Sequence, residues 1–265
     1  MRVAILGCGY VGCELGRRLA TDHDVWGVRR SERGLDDVRA AGLEPVQADV
    51  TDRDSLDAVP DADWVVFAAS GGGRDAESAR ETYVNGLRTA IEAFGEREES
   101  PERFVYTGST GVYGDFDGEW VDEETPLDPT TDRQEALVEA ERTALDATDE
   151  HEIAGTVARF GGLYGPDRYR IQRYLDGPVT DGYLNLVHRD DAAGAVAFLL
   201  AEDEARAEIV NVVDDEPDED LSESAKTRIA ADKRCSNAKL RELGYEFAFP
   251  SYREGYRAAI EAYRD

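Results

Sequence analysis

Short apolar runs alternate with amphipathic stretches along the first 213 residues of the chain. Strand signals, most of them in short apolar runs, lie at residues 2–6, 24–28, 44–48, 64–69, 103–107, 155–159 and 209–213. Apolar positions recur at helical spacing within residues 14–21, 35–41, 80–96, 134–147 and 190–201. Continuously apolar strands separated by helices are what a parallel sheet covered on both faces requires. The pattern predicts an α/β fold with a doubly wound parallel sheet, and no internal repeat is visible.

The pattern changes after residue 213. Residues 214–220 are six acidic residues and one proline, which is typical of a solvated loop. A basic patch at 226–234 and a tyrosine-rich ending at 245–263 follow. Because this tail is too short for an independent domain, we predict one domain over 1–213, with 166–186 contributing to a small substrate cap. The shortened C-terminal cap segment, 214–265, is expected to pack on the carboxyl edge of the same domain.

Three glycines follow the first strand at the spacing Gly7-x-Gly9-x-x-Gly12 and open the first helix. In this context Gly7 permits a tight turn, Gly9 lets the backbone approach a pyrophosphate, and Gly12 allows close helix packing. The free N–H groups and positive dipole end of the helix attract phosphates. The motif predicts a Rossmann dinucleotide-binding site that also uses Tyr10 and Val11. A purely structural turn is the alternative, because 25 glycines can produce this spacing by chance.

The end of the second strand indicates which dinucleotide binds. NAD sites usually carry Asp or Glu there, about 20 residues after the glycines, to accept hydrogen bonds from the ribose. Here the strand runs into Arg29, Arg30 and Ser31, with no carboxylate at the position. Guanidinium groups bind phosphate oxygens in bidentate fashion, so these residues favour the 2′-phosphate of NADP over NAD. Solvated surface arginines are the alternative interpretation.

The net charge of the chain indicates the salt content of its surroundings more than its function. The chain has 58 Asp and Glu against 30 Lys and Arg, a formal net charge of -28. Its lysines are Lys226, Lys233 and Lys239 alone. Molar salt screens a dispersed carboxylate excess with a Debye length of about 3 Å, so the composition is typical of a salt-adapted cytoplasm such as that of a halophilic archaeon. The charge also argues against a nucleic-acid partner.

Composition excludes several other classes. The chain is 41% hydrophobic, which is too much for a disordered protein. No run approaches 18 consecutive apolar residues and no signal-peptide pattern precedes the glycine motif, so we expect a cytoplasmic protein without a membrane partner. The spacing of Cys8, Cys13 and Cys235 matches neither a disulfide framework nor a zinc site. The three histidines lie far apart, so no metal is expected.

Further residues match, in order, those of a known family. They are Asp49-Val50, Phe67-Ala68-Ala69, Asn85, Ser109, Val112-Tyr113-Gly114, Arg159, Tyr164-Gly165-Pro166 and Asp190. Together with the glycine turn, they make the chain resemble the extended, atypical short-chain dehydrogenases of the NAD-dependent epimerase/dehydratase family. Residues 233–240 and 250–255 are similar to the branch of that family that includes the bacterial YeeZ-like proteins.

The resemblance implies roles for individual residues. The implied cofactor contacts are Asp49 and Val50 at the adenine, Ala68 and Ala69 at the ribose and pyrophosphate, Asn85 beside the fourth strand, and Phe160. Ser109 would be the active-site hydroxyl, and Arg133 and Tyr164 would meet the substrate. Asp190 lies in a segment that begins a helix near the substrate, and we interpret it as the N-cap of that helix.

The catalytic tyrosine and lysine of the family have no counterpart in this chain. In the family, the tyrosine exchanges a proton with the substrate hydroxyl, and the lysine four residues later lowers the pKa of that tyrosine and holds the nicotinamide ribose. Aligning the helix on Glu141 places Arg133 and Leu137 at these positions. The remaining candidates for the proton are Tyr113, Asp115, Tyr164 and a water held by Ser109, and the expected catalytic pair is Ser109 and Tyr113.

Two functional hypotheses are compatible with these residues. The first is an NADP-dependent oxidoreductase or epimerase of a sugar nucleotide or related polyol, in which Arg133 positions a ligand phosphate or carboxylate unless it is only a helix-surface residue. The second is a non-catalytic NADP-binding redox sensor or regulator, which must bind the two redox forms with different affinity. In relatives the helices at 80–96 and 134–147 often form a dimer bundle, so a monomer and a homodimer both remain open.

Overall fold

The computed structural model describes residues 1–70, 76–169, 180–219, 227–228 and 231–264. Its central strands are β1 (Arg2–Leu6), β2 (Asp24–Arg29), β3 (Glu44–Gln47), β4 (Trp64–Phe67), β5 (Arg103–Ser109), β7 (Ala154–Phe160) and β12 (Glu208–Val212). They form one seven-stranded parallel sheet in the order β12-β7-β5-β4-β1-β2-β3. The predicted doubly wound Rossmann sheet is confirmed.

Helices and shorter strands complete the chain. The helices are α1 (Tyr10–Leu19), α2 (Glu32–Ala40), α3 (Arg53–Leu56), α4 (Ala76–Arg80), α5 (Leu87–Gly95), α6 (Asp132–Glu150), α7 (Arg189–Ala201), α8 (Ala238–Glu242) and α9 (Tyr252–Arg264). The shorter strands are β6 (Trp120–Val121), β8 (Gly162–Tyr164), β9 (Thr180–Asp181), β10 (Tyr183–Leu184), β11 (Leu186–His188), β13 (Asp218–Glu219), β14 (Thr227–Arg228) and β15 (Arg234–Cys235). Residues 170–179 of the predicted cap, and Lys226 of the basic patch, lie outside the described residues.

The sheet separates two hydrophobic cores. Val3 and Ile5 of β1 enter one core, and Ala4 and Leu6 enter the other, because successive side chains of a strand point to opposite faces. Helices α1 and α7 cover the first face, and α5 and α6 cover the second. Burial on both faces explains why inner strands such as β1 and β4 are almost entirely apolar, whereas the edge strand β3 contains the exposed residues Glu44 and Gln47.

The strand order reverses between β1 and β4. The chain passes from β1 outward to β2 and β3, then crosses to β4 on the other side of β1 and continues to β5, β7 and β12. Such a reversal opens a crevice at the carboxyl ends of the two central strands, and doubly wound sheets bind their ligands there. The topology therefore places the glycine turn after β1 at the expected binding position.

Several predicted helix boundaries differ from the structure. Helix α1 begins at Tyr10 rather than at residue 14, and α6 begins at Asp132 because Thr131 and Gln134 form a capping box. The helix predicted over 80–96 is interrupted by a π-helical turn, Glu81–Gly86. The predicted N-cap at Asp190 is wrong: the extended residue His188 caps α7, and its Nδ1 accepts the backbone N–H of Asp190 at 3.2 Å.

The C-terminal tail contacts two parts of the first domain. Strand β15 pairs with β6 beyond the carboxyl end of β5. Farther along, Leu240 and Phe247 enter the core under α1 and α7, and the Tyr245 hydroxyl donates to the carbonyl of Asp191 at 3.0 Å. The described part of the tail thus shares its core with the Rossmann sheet.

Candidate functional site

A cleft of about 1100 Å³ lies at the carboxyl ends of the central strands. Most of the residues predicted from sequence line it, namely Gly7, Gly9, Tyr10, Val11, Gly12, Arg29, Arg30, Ser31, Asp49, Val50, Ala68, Ala69, Ser109, Arg133 and Phe160. Drug-sized ligands occupy pockets of about 300–1,000 Å³. The cleft is therefore at least as large as the pocket of one drug-sized ligand.

The glycine turn is tightly packed against the neighbouring strand. Gly7 has a φ of +84°, and a Cβ atom built on it would lie 2.2 Å from the Cα of Ala69. The backbone N–H groups of Gly7 and Cys8 both donate to the carbonyl of Val28, at 3.1 and 3.0 Å. Gly9 is the N-cap of α1 and has no side chain to occupy the N–H groups of the first turn. The turn is thus a backbone cradle at a helix N-terminus, the arrangement that binds phosphates.

Arg29 lies against this turn and Arg30 projects from it. The Arg29 Nη1 atom donates to the carbonyl of Cys8 at 3.2 Å, and a Cβ atom on Gly9 would lie 2.6 Å from it. The Arg30 side chain is 72% exposed, with its Nη1 atom 3.6 Å from Asp49 Oδ2. Ser31 caps α2 by accepting the N–H of Gly34 at 3.3 Å. The three residues thus converge on one end of the cleft.

Asp49 stands at that end as an ionised group. Its partial burial opposes ionisation, but hydrogen bonds from the backbone and hydroxyl of Thr51, together with Arg30, hold the pKa of the carboxyl below its usual value. The negative charge of the Asp49 carboxylate and the positive charge of Arg30 partly offset each other.

The lining of the cleft contains more arginines than aspartates, although the chain as a whole is strongly acidic. Its described lining contains the arginines Arg17, Arg29, Arg30, Arg133, Arg168 and Arg189, against the aspartates Asp37, Asp49 and Asp167. A concave surface of one sign focuses the field and raises the local concentration of ligands of opposite charge. Arg17 and Arg189 are paired with Glu14 and Asp190, and Arg30 lies beside Asp49. Arg29, Arg133 and Arg168 therefore supply most of the surplus, which favours an anionic ligand in a chain of net charge -28.

The opposite end of the cleft contains a serine, a tyrosine and an arginine. The Ser109 Oγ atom accepts the N–H of Gly111 at 3.1 Å. Tyr83, on the π-helical turn, is half-buried and lines the cleft, and the Arg133 guanidinium carbon lies 6.0 Å from the centre of its ring. Among the described residues the Tyr83 hydroxyl has no hydrogen-bond partner.

Sequence reasoning missed Tyr83. The one signal in the sequence was its position two residues before Asn85. The π-helical turn holds an extra residue, so the side chains that face the cleft differ from those that a regular α-helix would present. It also missed Arg168 and Arg189, whose guanidinium carbons lie 4.0 and 5.6 Å from the centre of the Tyr10 ring.

Three predicted site residues do not reach the cleft. Asn85 donates to Glu81 Oε2 at 2.8 Å. The Tyr164 side chain is buried, its hydroxyl donates to the carbonyl of Ser251 at 3.3 Å, and burial raises its pKa. Tyr113 is fully buried; its hydroxyl donates to Asn211 Oδ1 at 2.9 Å, and burial raises its pKa as well. Packing has therefore taken Tyr113 and Tyr164 out of contact with a ligand in the cleft.

Asp115, the other candidate for the proton, is held in the loop after β5. Its Oδ1 atom accepts the backbone N–H groups of Asp117 and Asp232 at 3.2 and 3.0 Å. The side chain is not part of the cleft lining among the described residues.

Comparison with known proteins supplies the family. The model of the NAD dependent epimerase/dehydratase family matches residues 3–212. The chain belongs to this family. Among solved structures, a protein of Methylobacillus flagellatus assigned as an NAD-dependent epimerase/dehydratase is 30% identical, with a TM-score of 0.82 over 100% of this chain and 99% of the other. A search of curated proteins finds no match.

Two more distant epimerase/dehydratase structures share the fold. One is dTDP-glucose 4,6-dehydratase from Bacillus anthracis in complex with NAD, 16% identical, with a TM-score of 0.81 over 100% of this chain and 96% of the other. The other is UDP-glucuronic acid 4-epimerase from Bacillus cereus in complex with NAD, 17% identical, with a TM-score of 0.79 over 96% of each chain. In the described part of this family member, no helix is long and apolar enough to span a membrane.

A buried ion pair fixes the back of the site in this epimerase/dehydratase family member. The Arg159 Nε and Nη2 atoms donate to the two carboxylate oxygens of Glu141, at 2.9 and 2.7 Å, and both side chains are less than 5% exposed. Arg159 Nη1 also donates to the Tyr113 hydroxyl at 2.7 Å. Desolvation raises the pKa of Glu141 although Arg159 opposes the shift. The pair joins α6, which carries Arg133, to β7 of the sheet.

Proposed function

We propose that this protein binds NADP and acts as an oxidoreductase or epimerase on a sugar nucleotide or a related polyol. The observation that carries the proposal is the arginine-rich cleft, which runs without interruption from the glycine turn to Ser109, Tyr83 and Arg133. One end suits the phosphates of a dinucleotide, and the other end suits a polar substrate beside an ionisable hydroxyl.

The residues present fit a dinucleotide. The cradle at Gly7 and Gly9 admits no Cβ atom without collision, and it opens onto the N-terminus of α1, where phosphates bind. The volume of about 1100 Å³ also suits this ligand. Arg29, Arg30 and Ser31 support NADP rather than NAD, since guanidinium groups pair with phosphate oxygens.

We expect NADPH to bind more tightly than NADH, and the Arg30→Ala variant to lose most of that preference. Removing a charge-assisted hydrogen bond costs about 1.5–3 kcal/mol, so the dissociation constant for NADPH rises about 10- to 100-fold while that for NADH stays unchanged. Fluorescence titration in about 2 M KCl, chosen to screen the carboxylates, measures both.

The matched control for this titration is Arg33→Ala. Arg33 is exposed and follows the same strand, but it is not among the described residues of the cleft lining. Its replacement leaves the preference intact. If both variants lose the preference for NADPH equally, NADPH affinity depends only on the total charge of the protein. If the parent protein binds NADH more tightly than NADPH, the assignment of NADP as cofactor is wrong.

For the chemistry, we assign Tyr83 as the proton donor and Ser109 as the group that holds the reacting oxygen. Bound NADP supplies a hydride acceptor, or in its reduced form a hydride donor. When a substrate carbonyl is reduced, Tyr83 transfers its phenolic proton to the oxygen and regains one from solvent. The Arg133 guanidinium carbon lies 6.0 Å from the centre of the Tyr83 ring, a cation–π contact that would help to hold the ring in the cleft. Oxidation uses the same groups in reverse.

Replacing Tyr83 by Phe should lower kcat by about 100-fold or more, the usual contribution of a positioned acid or base, with little change in KM. UDP-glucuronic acid and dTDP-glucose, the sugar nucleotides named for two structural neighbours, are the first substrates to offer with NADP⁺. Tyr256→Phe is the control, because it removes a phenol hydroxyl that donates outside the cleft to the carbonyl of Tyr169. A Tyr83→Phe variant as active as that control would exclude Tyr83.

A redox sensor is the second candidate function. It is favoured by Leu137, an apolar side chain at the position that aligns with the lysine of the family, and by the lack of any lysine in the described cleft lining. A sensor requires different affinities for NADPH and NADP⁺. Similar affinities together with turnover of a sugar nucleotide would support the enzyme, whereas a ratio of about tenfold or more without turnover would support the sensor.

A further inference from the structure

Two cysteines, Cys8 in the glycine turn and Cys13 in α1, lie side by side. The Sγ atoms of Cys8 and Cys13 lie 3.9 Å apart. Cys8, in the turn itself, is fully buried, and a Cβ atom on Gly27 would lie 2.9 Å from its sulfur. Cys13, in the second turn of α1, is half-buried and lines the cleft. A solute in the cleft can therefore reach the Cys13 thiol, whereas the Cys8 thiol is buried next to it.

The surroundings of Cys13 favour its thiolate. The hydrogen bond with Cys8 lowers the pKa of the Cys13 thiol, and Arg17 and Arg29 act in the same direction. Burial and the nearby Asp37 oppose this shift. The same hydrogen bond and burial raise the pKa of Cys8. Because the thiolate is the nucleophile, we expect Cys13 to react with an oxidant before Cys8 does.

We propose that Cys8 and Cys13 are an oxidative modification site: a peroxide converts them to a disulfide that disables the phosphate-binding turn. The Cys13 thiolate attacks the O–O bond, which gives a sulfenic acid and releases water or an alcohol. The Cys8 thiol then displaces the hydroxyl of the sulfenic acid as a second water. Two thiols are oxidised and one peroxide is reduced, and a dithiol reduces the disulfide again.

Closing the disulfide draws on the two cysteine side chains and on the turn that carries Cys8. The sulfurs have to approach from 3.9 Å to about 2.05 Å. The turn is held by the bonds of Gly7 and Cys8 to the carbonyl of Val28, and by the bond from Arg29 to the carbonyl of Cys8. Gly7 cannot yield toward Ala69, which it already touches. We expect the part of this approach that side-chain rotation does not supply to displace the N–H groups of the turn and the Arg29 side chain, at which the phosphates of the proposed cofactor would bind.

Binding of NADPH and oxidation of Cys8 and Cys13 should disfavour each other. A dinucleotide in the cleft would cover Cys13 and restrain the turn, so bound NADPH should slow the reaction of the thiols with peroxide. Linkage requires the reverse as well: the disulfide weakens NADPH binding by the factor by which NADPH disfavours the disulfide. This part of the inference rests on the proposed cofactor, whereas formation of the disulfide does not.

The test uses the full chain, hydrogen peroxide and NADPH. Trypsin cleavage after Arg2 and Arg17 releases residues 3–17, which carry both cysteines, so the disulfide appears as a peptide two hydrogens lighter that resists alkylation. We expect this peptide after peroxide treatment, a slower yield when NADPH is present, and NADPH binding about tenfold weaker or more that dithiothreitol restores.

Variants separate the outcomes. Cys13→Ser should show the same NADPH affinity before and after peroxide, whereas Cys235→Ser, which alters a buried cysteine outside the cleft lining, should respond like the parent. Absence of the linked peptide overturns the proposal, and so does a linked peptide with unchanged NADPH affinity. If the reduced protein binds no NADPH, the proposed function fails, and the peptide map alone decides whether the disulfide site exists.

Discussion

Replacing Glu141 by Gln lowers the free energy of unfolding by about 3–5 kcal/mol, because it leaves the Arg159 guanidinium buried without its counter-charge. Both side chains are almost completely buried and joined by bidentate hydrogen bonds, so water cannot replace the lost carboxylate. Urea unfolding followed by circular dichroism in about 2 M KCl measures the change.

The control is Glu139→Gln, two residues earlier on α6. Glu139 pairs with Arg80, and both side chains are more than 40% exposed, so its loss costs less than about 1 kcal/mol. A double variant, Arg159→Met with Glu141→Leu, should regain most of the lost stability, since an apolar pair needs no counter-charge. Equal losses for Glu141→Gln and Glu139→Gln would show that the buried pair is solvated in solution.

The Gly7→Ala variant should lose NADPH binding by about 100-fold or more and unfold about 4 kcal/mol more easily. Two effects add: the residue has a positive φ of +84°, and the new methyl group would lie 2.2 Å from the backbone of Ala69. Backbone atoms of a buried strand cannot rotate away as a side chain can. The turn must move instead, and it carries the phosphate-binding N–H groups with it.

Gly42→Ala isolates the conformational part of that effect. Gly42 has a nearly identical φ of +77°, but its added Cβ atom would meet no atom within 4 Å. Its cost should be only the strain of the left-handed region, about 1–2 kcal/mol, with normal NADPH titration. If Gly7→Ala costs no more than Gly42→Ala and binds NADPH normally, the close approach to Ala69 is not a determinant of the site.

The sequence by itself determined the parts of this protein that depend on neighbouring residues. Strand β1, the glycine turn and α1 are contiguous, so their spacing alone predicts a phosphate cradle. Arg29, Arg30 and Ser31 follow the second strand directly, and the parallel sheet brings that strand beside the first. Burial on both faces makes the inner strands almost entirely apolar, and for that reason the sequence predicts the core of the sheet.

Only the tertiary structure decided which separate side chains meet. Tyr113 and Tyr164 follow predicted strands but are packed into the interior, whereas Tyr83 reaches the cleft through a π-helical turn that no periodicity reveals. The positive cleft is likewise invisible in a chain of net charge -28, because its arginines come from distant segments. Direction and burial of a side chain depend on how helices pack on the sheet, and that packing is a property of the whole fold.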